Sequence, residues 1–134
     1  MNENDIQRAV FDWARLRSTT AKELELMFHV PNEGKRSYAT GAIMKRAGLK
    51  SGVPDIFLPV PRNGKNGLWI ELKNGRKKPT GNQIWWLINL AKQGYTTCVC
   101  DSVGAAVSVI SDYLDIQPYV TITEKDLNGV HRYE

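Results

Sequence analysis

An acid and a base stand two residues apart in a segment that otherwise has the pattern of a buried strand. In the stretch GLWIELKNG, which begins at Gly67, aliphatic residues alternate with an indole, a carboxylate and an ammonium group. Alternate residues of a strand share a face, so Glu71 and Lys73 are predicted to lie side by side, opposite the aliphatic face. One interpretation is an exposed salt bridge on a solvated sheet face, worth about 0–1 kcal/mol. If the pair is buried instead, each charge needs a partner.

Asp55 is the candidate partner. It opens the apolar segment DIFLPV, and PRNGKNG, with two Asn-Gly pairs, separates that segment from Glu71. Asn-Gly between apolar strands is typical of a tight β-hairpin, so Asp55 is predicted to lie near Glu71 and Lys73. Two carboxylates brought together repel each other unless one is protonated or a cation lies between them. Mg²⁺ favours carboxylates, backbone carbonyls and water, so these are the parts of metal-assisted phosphodiester hydrolysis.

Helices and strands are predicted around this hairpin. Apolar residues at three- and four-residue spacing predict one helix from Asp5, a second from Asn82 and a third from Val103. A short helix is predicted before Gly48, the run LELMFHV fits either a helix end or a strand, TTCVC predicts a buried strand, and PYVTIT predicts a last strand. The expected class is α/β, with a mixed β-sheet flanked by helices in one domain.

Composition limits the function classes. With 134 residues, 42% hydrophobic residues and four Trp, the chain is expected to fold around a real core. No apolar run approaches a membrane span, and the polar start MNENDIQRAV does not fit a secretory signal, so a cytoplasmic protein is expected. Cys98 and Cys100 are expected to be buried thiols, because adjacent same-face positions of a strand are poorly placed to bridge.

Basic residues concentrate in one part of the chain. Between Arg62 and Lys78 there are six basic residues and one acid. A local basic block in a chain of net charge +4 fits a polyanionic partner, and it also fits a solvated loop. Charge by itself leaves both interpretations open.

The motifs together resemble the VRR-NUC family, the virus-type replication-repair nuclease branch of the PD-(D/E)xK superfamily. The resemblance lies in Gly-Val-Pro-Asp ending at Asp55, a gap of fifteen residues, Glu-Leu-Lys from Glu71, and Gln83 at the start of the next helix. An early Glu-x-x-x-Gln from Glu3 and the segment HVPNEG add to it, so it spans roughly residues 3–115. It implies a restriction-endonuclease-like PD-(D/E)xK core over residues 1–117, with residues 118–134 as a C-terminal extension that could serve a dimer interface.

Carried over to this sequence, the resemblance implies a metal site. Asp55 and Glu71 would ligate Mg²⁺ or Mn²⁺, with the backbone carbonyl of Leu72 as a third protein ligand. Lys73 would position or activate the attacking water.

Two more residues would support that site, and each has an alternative explanation. Gln83 would act from the head of its helix, but Thr80-x-x-Gln83 also fits a capping box. Glu3 would approach the metal from the first helix, but an acid there also favours the helix N-terminus electrostatically.

Several neighbouring residues remain open. His29 could act as a base, but a structural role beside the Val-Pro step is the better interpretation. Asn32 and Glu33 fit a turn after Pro31 or a position facing the site. Trp85 and Trp86 could stack on bases, or at least one could belong to the core.

The basic block would then contact DNA. Its members Lys65, Arg76, Lys77 and Lys78 are expected to line the approach to the site and bind phosphates, which raises affinity without reading sequence. No recognition helix or zinc-finger pattern is present, which favours selection of DNA by structure.

The implied function is a metal-dependent DNA endonuclease. Stand-alone members of the family tend to be phage or bacterial homodimers that cut branched DNA such as Holliday junctions, which implies a role in DNA repair. Two symmetric nicks need two sites related by a two-fold axis. The main alternative is a DNA-binding module with a nuclease-like fold that does not cut. A restriction-type enzyme that reads a short sequence is a third, with little room in this length for a specificity domain.

Overall fold

The computed structural model describes residues 1–31 and 38–120. Asn32 and Glu33, weighed above as site or turn residues, lie outside the described residues. Along the chain the helices and strands are α1 (Glu3–Arg17), a 3₁₀ turn (Lys22–Leu26), β1 (Phe28–His29), α2 (Tyr38–Arg46), β2 (Ile56–Leu58), β3 (Leu68–Leu72), α3 (Gly81–Lys92), β4 (Thr96–Cys100) and α4 (Val103–Leu114). Within these residues, no helix has both the length and the apolar character needed to cross a membrane.

The four strands form one mixed sheet in the order β1-β2-β3-β4. The β1–β2 and β2–β3 pairs are antiparallel, and the β3–β4 pair is parallel because α3 carries the chain back to the same end of the sheet. The run LELMFHV, which fitted either a helix end or a strand, forms a 3₁₀ turn followed by the short strand β1. The predicted α/β class with a mixed sheet and flanking helices is confirmed.

The β2–β3 hairpin closes through the first of the two Asn-Gly pairs. Asn63 and Gly64 have φ values of 48° and 77° between the bridged residues Arg62 and Lys65. Two consecutive residues with positive φ are typical of a type I′ turn, which Asn-Gly favours. The second pair has another role: the Asn66 side chain donates to the Gln93 carbonyl, and its N–H donates to the Gly94 carbonyl, which ties the hairpin to the turn after α3.

The core lies between one face of the sheet and the helices α1 and α4. The aliphatic residues of β2 and β3 are almost fully buried there, together with Val10 of α1 and Ile110 of α4; these sheet residues are Ile56, Leu58, Leu68, Ile70 and Leu72. Burial of this face sets the strand register, because a slip of one residue would turn every aliphatic side chain away from the helices. The same alternation places Trp69 and Glu71 on the opposite face.

Within residues 1–31 and 38–120, the predicted buried strand TTCVC is the edge strand of the sheet. There β4 pairs only with β3, Cys100 is its single buried residue, and Val99 is 44% exposed. Both cysteines are free thiols, as expected, but Cys98 is only half-buried. Helix α3 packs against β4 and has no buried residue, so neither Trp85 nor Trp86 enters the core.

The chain leaves α4 and returns to α1. Trp13 Nε1 donates to the Pro118 carbonyl at 2.7 Å, and Arg17 Nε donates to the Gln117 carbonyl at 2.9 Å. Residues 118–120 form no strand, and the rest of the predicted strand PYVTIT lies outside the described residues. The dimer role of residues 118–134 stays a prediction.

Candidate active site

Asp55 lies where the hairpin model of the sequence placed it. Ile56 of β2 pairs with Ile70 of β3, which brings Asp55, one residue earlier, to the level of Glu71. Its side chain is only 4% exposed, and its Oδ2 accepts a hydrogen bond from the backbone N–H of Leu72 at 2.7 Å. The start of β2 is therefore bonded to the end of β3 through a carboxylate.

Glu71 and Lys73 form a buried pair. Glu71 is 1% exposed and Lys73 is 8% exposed, so the exposed salt bridge weighed above is wrong. The Lys73 Nζ atom lies 3.8 Å from Oε1 of Glu71. Charged side chains are rarely buried this fully unless they are paired or functional. The arrangement collects two carboxylates and one lysine around the end of β3.

The carboxyl of Glu71 has a strongly raised pKa. Burial, the nearby negative charge of Asp55 and, to a smaller extent, Glu3 raise the pKa from 4.5 to about 8, although Lys73 opposes the rise. The Oε2 atom of Glu71 is buried and has no hydrogen-bond partner among the described residues. A buried polar atom without a partner is uncommon in native structures and often marks a position for an ion. The carboxylate pair therefore has the chemistry of a cation site.

Glu3 joins this group from α1. Its Oε1 lies 4.0 Å from the Lys73 Nζ, and the side chain remains partly exposed. The start of α1 is held by a capping box in which the Asn2 side chain accepts from the Asp5 N–H and the Asp5 side chain accepts from the Asn2 N–H. That box secures the first turn, so Glu3 is presented to Lys73 from a fixed helix end. The pattern Asn-x-x-Asp in the sequence carried the signal for it.

Gln83 caps its own helix, as its alternative explanation stated. The Thr80 side chain accepts from the Gln83 N–H, and the Gln83 side chain accepts from the Thr80 N–H at 2.8 Å. Gln83 also borders the cavity above Glu71. The cap and the position at the cavity coexist, because the cap sets the side chain at the head of α3.

A cavity of about 320 Å³ opens over these residues. Its lining combines acidic residues, the turn before β2 and the head of α3; the lining residues are Glu3, Pro31, Lys50, Ser51, Gly52, Val53, Glu71, Thr80 and Gln83. Lys50 and Ser51 are the residues that the sequence interpretation missed. The sequence indicated them only by their position directly before Gly-Val-Pro-Asp, which brings them near Asp55 in the chain. The chemistry of their side chains gave no further indication.

The oxygen atoms at the end of β3 fit a divalent cation that takes few of its ligands from the protein. The described residues contain no group of three or more His, Cys, Asp or Glu that could hold a metal ion. Asp55 and Glu71 supply two carboxylates, and Leu72 between Glu71 and Lys73 supplies a backbone carbonyl. Mg²⁺ is bound in this way, through one or two carboxylates with water and substrate phosphate completing its shell.

The predicted DNA-binding residues fall into two separate places. Arg76, Lys77 and Lys78 are exposed in the loop between β3 and α3, directly after Lys73. Lys65 lies in the turn of the hairpin, at the opposite end of β3 from Glu71. The length of β3 separates the two ends by roughly 15 Å. The turn that fixed the position of Asp55 therefore carries Lys65 away from the cavity, and a contact of Lys65 with DNA stays a prediction.

His29, Trp85 and Trp86 are not among the described residues that line the cavity over Glu71. His29 is exposed on β1, pairs with Ile56 and borders a different cavity with Arg8 and Phe28. Trp86 Nε1 donates to the Ser51 carbonyl at 2.9 Å, which gives that tryptophan a structural role at the turn before β2. Trp85 is 57% exposed.

Fold and site together define an α/β domain of the nuclease type. The chain belongs to the VRR-NUC family: residues 1–104 match the model of the VRR-NUC domain. A solved structure of a VRR_NUC domain protein superposes with a TM-score of 0.75 at 28% sequence identity, covering 87% of this chain and 90% of that one. No curated protein matches the chain.

Proposed function

We propose that this protein is a divalent-metal-dependent deoxyribonuclease that hydrolyses phosphodiester bonds in branched DNA, such as Holliday junctions, during DNA repair. The observation that carries the proposal is the buried group of Asp55, Glu71 and Lys73 beside a cavity open to solvent, in which Oε2 of Glu71 has no hydrogen-bond partner among the described residues. Burying charged groups in this way costs stability. Such groups are concentrated at functional sites, where the chemistry requires them.

The roles of the residues follow from their positions. Asp55 and Glu71, with the Leu72 carbonyl, would hold Mg²⁺ or Mn²⁺. When bound, such an ion supplies a Lewis acid for the phosphate and lowers the pKa of water. Lys73 lies within 4.0 Å of two carboxylates and would position the attacking water at the end of β3. Glu3 would hold Lys73 in place from α1, and Gln83 would border the substrate from the head of α3.

The exposed loop of Arg76, Lys77 and Lys78 would bind the DNA backbone. Arg76 follows Lys73 by three residues, and Lys78 precedes Thr80, the N-cap of α3, by two. Phosphate contacts of this type fix the position of a duplex and make binding depend on salt, without reading bases. Selection would then come from the shape of the DNA.

We further propose that two copies act together through α3 and β4. Ile84, Trp85 and Ile88 on α3 are between 45% and 57% exposed, and they are neighbours at one-, three- and four-residue spacing. The adjacent strand β4, at the edge of the sheet that the described residues form, contains no charged residue and no proline, the devices that normally protect an edge from pairing. A second copy is favoured over DNA as the occupant, because aliphatic side chains flank Trp85 and none of Ile84, Trp85 and Ile88 is basic. A two-fold contact here would give one site for each strand to be nicked.

A cleavage assay tests the activity. End-labelled four-way junction, flap, linear duplex and single-stranded DNA are incubated with Mg²⁺, Mn²⁺ or EDTA, using the wild type and Lys73→Ala. Cutting that requires the metal, prefers the junction and disappears in Lys73→Ala is expected. If junctions bind but no substrate is cut with either metal, the protein is a DNA-binding module. Fragments fixed by sequence from plasmid DNA would instead indicate a restriction-type enzyme.

A further inference from the structure

Lys50 lies at the cavity that holds the candidate active site, although no part of the family motif includes it. It precedes β2 in the turn Lys50–Gly52 and borders the same space as Glu3 and Glu71. Among the described residues that line this cavity, Lys50 is the one with a basic side chain. A positive charge therefore stands at the mouth of an acidic site.

The turn that carries Lys50 is clamped to the first turns of α3. The Ser51 carbonyl accepts from Trp86 Nε1 at 2.9 Å, and the Ser51 hydroxyl accepts from the Asn82 side chain at 3.4 Å. Gly52 has a φ of +88° and lies so close to Asn82 that a Cβ atom would meet its backbone at 2.8 Å. The backbone of Lys50 is thus held against the helix that also brings Gln83 to the cavity.

Lys50 and Lys73 differ in what surrounds them. Lys73 lies within 4.0 Å of both Glu3 and Glu71, so its charge is engaged inside the site. Lys50 is exposed and makes no ion pair with any residue that the structure describes. Its ammonium group is therefore available to a ligand in the cavity.

The balance of charge indicates which ligand. Glu3, Asp55 and Glu71 bring three carboxylates, which Lys73 and one divalent cation would neutralise. Nothing in that set compensates the negative charge of a phosphodiester, and an uncompensated charge in a partly desolvated site is costly. A lysine at the mouth of the cavity supplies the missing charge.

We propose that Lys50 contacts a non-bridging oxygen of the DNA phosphate that is bound in this cavity. The proposal rests on the nuclease function proposed above and adds to it a substrate-contacting residue. Lys50 then holds the phosphate over Asp55 and Glu71, and Lys73 remains with the water.

The test compares Lys50→Ala and Lys50→Arg with Lys92→Ala. Lys92 is an exposed lysine at the other end of α3, about 15 Å of helix away from the cavity. Four-way junction binding is measured with Ca²⁺ at several salt concentrations, and single-turnover cleavage is measured with Mg²⁺ at saturating enzyme. All variants are first checked for wild-type thermal unfolding, which an exposed lysine is expected to preserve.

Lys50→Ala is expected to reduce the slope of log affinity against log salt by about 1, and to slow single-turnover cleavage roughly tenfold or more. Lys50→Arg keeps the charge and is expected to recover most of the binding, whereas Lys92→Ala matches the wild type. If Lys50→Ala matches Lys92→Ala in both assays while the wild type binds and cuts, the inference is overturned and the nuclease function stands. A wild type that neither binds nor cuts DNA overturns both.

Discussion

The carboxylate of Asp55 accepts a hydrogen bond from the backbone N–H of Leu72 at 2.7 Å, in a part of the molecule closed to solvent. This bond joins the residue before β2 to the last residue of β3. Leu72 lies between Glu71 and Lys73 in the sequence. This hydrogen bond therefore ties Asp55 to the segment that carries the other two charged groups.

Asp55→Asn and Asp55→Ala are expected to separate the structural role of Asp55 from its chemical role. Both remove the charge and are expected to abolish cleavage. Asparagine keeps an oxygen that can accept from Leu72, whereas alanine leaves that N–H buried without an acceptor, which costs about 1–3 kcal/mol. Urea unfolding without metal should show Asp55→Ala less stable than Asp55→Asn by that amount. Equal stability of the two variants would mean that the Leu72 bond contributes nothing to the fold.

The raised pKa of Glu71 predicts a stability that falls as pH rises. The ordinary pKa of a glutamate carboxyl is 4.5, whereas the pKa of Glu71 in the folded protein is about 8. Between these pH values the native state therefore holds a proton that the unfolded state has lost. Stability from this group is complete below about pH 4.5, decreases through the interval and is lost above about pH 8. Without metal, the wild type should lose up to a few kcal/mol across this range.

Glu71→Gln is the matched control for that prediction. The amide has the same shape and does not titrate, so its free energy of unfolding should lack this part of the pH dependence. Urea unfolding of both proteins in EDTA from about pH 5 to about pH 9 makes the comparison. Parallel curves for the two proteins would contradict a raised pKa at Glu71. Added Mg²⁺ should stabilise the wild type at about pH 8 and leave Glu71→Gln unchanged, because a ligand that binds only the native state stabilises it.

The hairpin is the part of the fold and site that the sequence predicted best. Asn63-Gly64 determines a two-residue turn, and the aliphatic alternation of β3 determines which face is buried. Together they fix the register, and the register places Asp55 at the level of Glu71. Local signals sufficed here because the turn and the pattern act on residues close in the chain.

Other features depend on contacts between distant segments, which single-sequence patterns do not report. TTCVC has the composition of a central strand, but the position of β4 at the sheet edge follows from how α3 crosses over. Lys65 is near Lys73 in the sequence, but a hairpin places its turn and its open end at opposite ends of the strands. The position of Lys50 before Gly-Val-Pro-Asp places it near Asp55 in the chain, but its place at the cavity depends on the packing of Ser51 against Trp86.

Gly52→Ala is expected to weaken both stability and cleavage. An L residue is strained at a φ of +88°, and its Cβ would meet the Asn82 backbone at 2.8 Å. We expect a loss of about 1–3 kcal/mol in unfolding free energy, since the turn must move away from α3. Gly104→Ala is the control: this glycine is exposed in α4, nothing lies within 4 Å of its Cβ position, and alanine favours the helix. Equal unfolding midpoints for the two variants would show that the turn before β2 is not clamped.

Ile88→Lys is expected to separate the two copies of the proposed dimer. A lysine in the apolar stripe of α3 would place a charge in the contact on both sides of the two-fold axis, which is strongly unfavourable for association. Sedimentation should show a wild-type dimer and an Ile88→Lys monomer, and circular dichroism should show that the monomer keeps the secondary structure of the wild type. The monomer should nick one strand of a junction at a time, with no coupling between the two cuts.

Ser108→Lys introduces the same charge on the exposed side of α4 and should remain dimeric. A wild type that is monomeric, or an Ile88→Lys that still dimerises, would rule out this surface as the contact. If Trp85→Ala stays dimeric but binds junctions weakly, Trp85 contacts DNA bases and not a second copy.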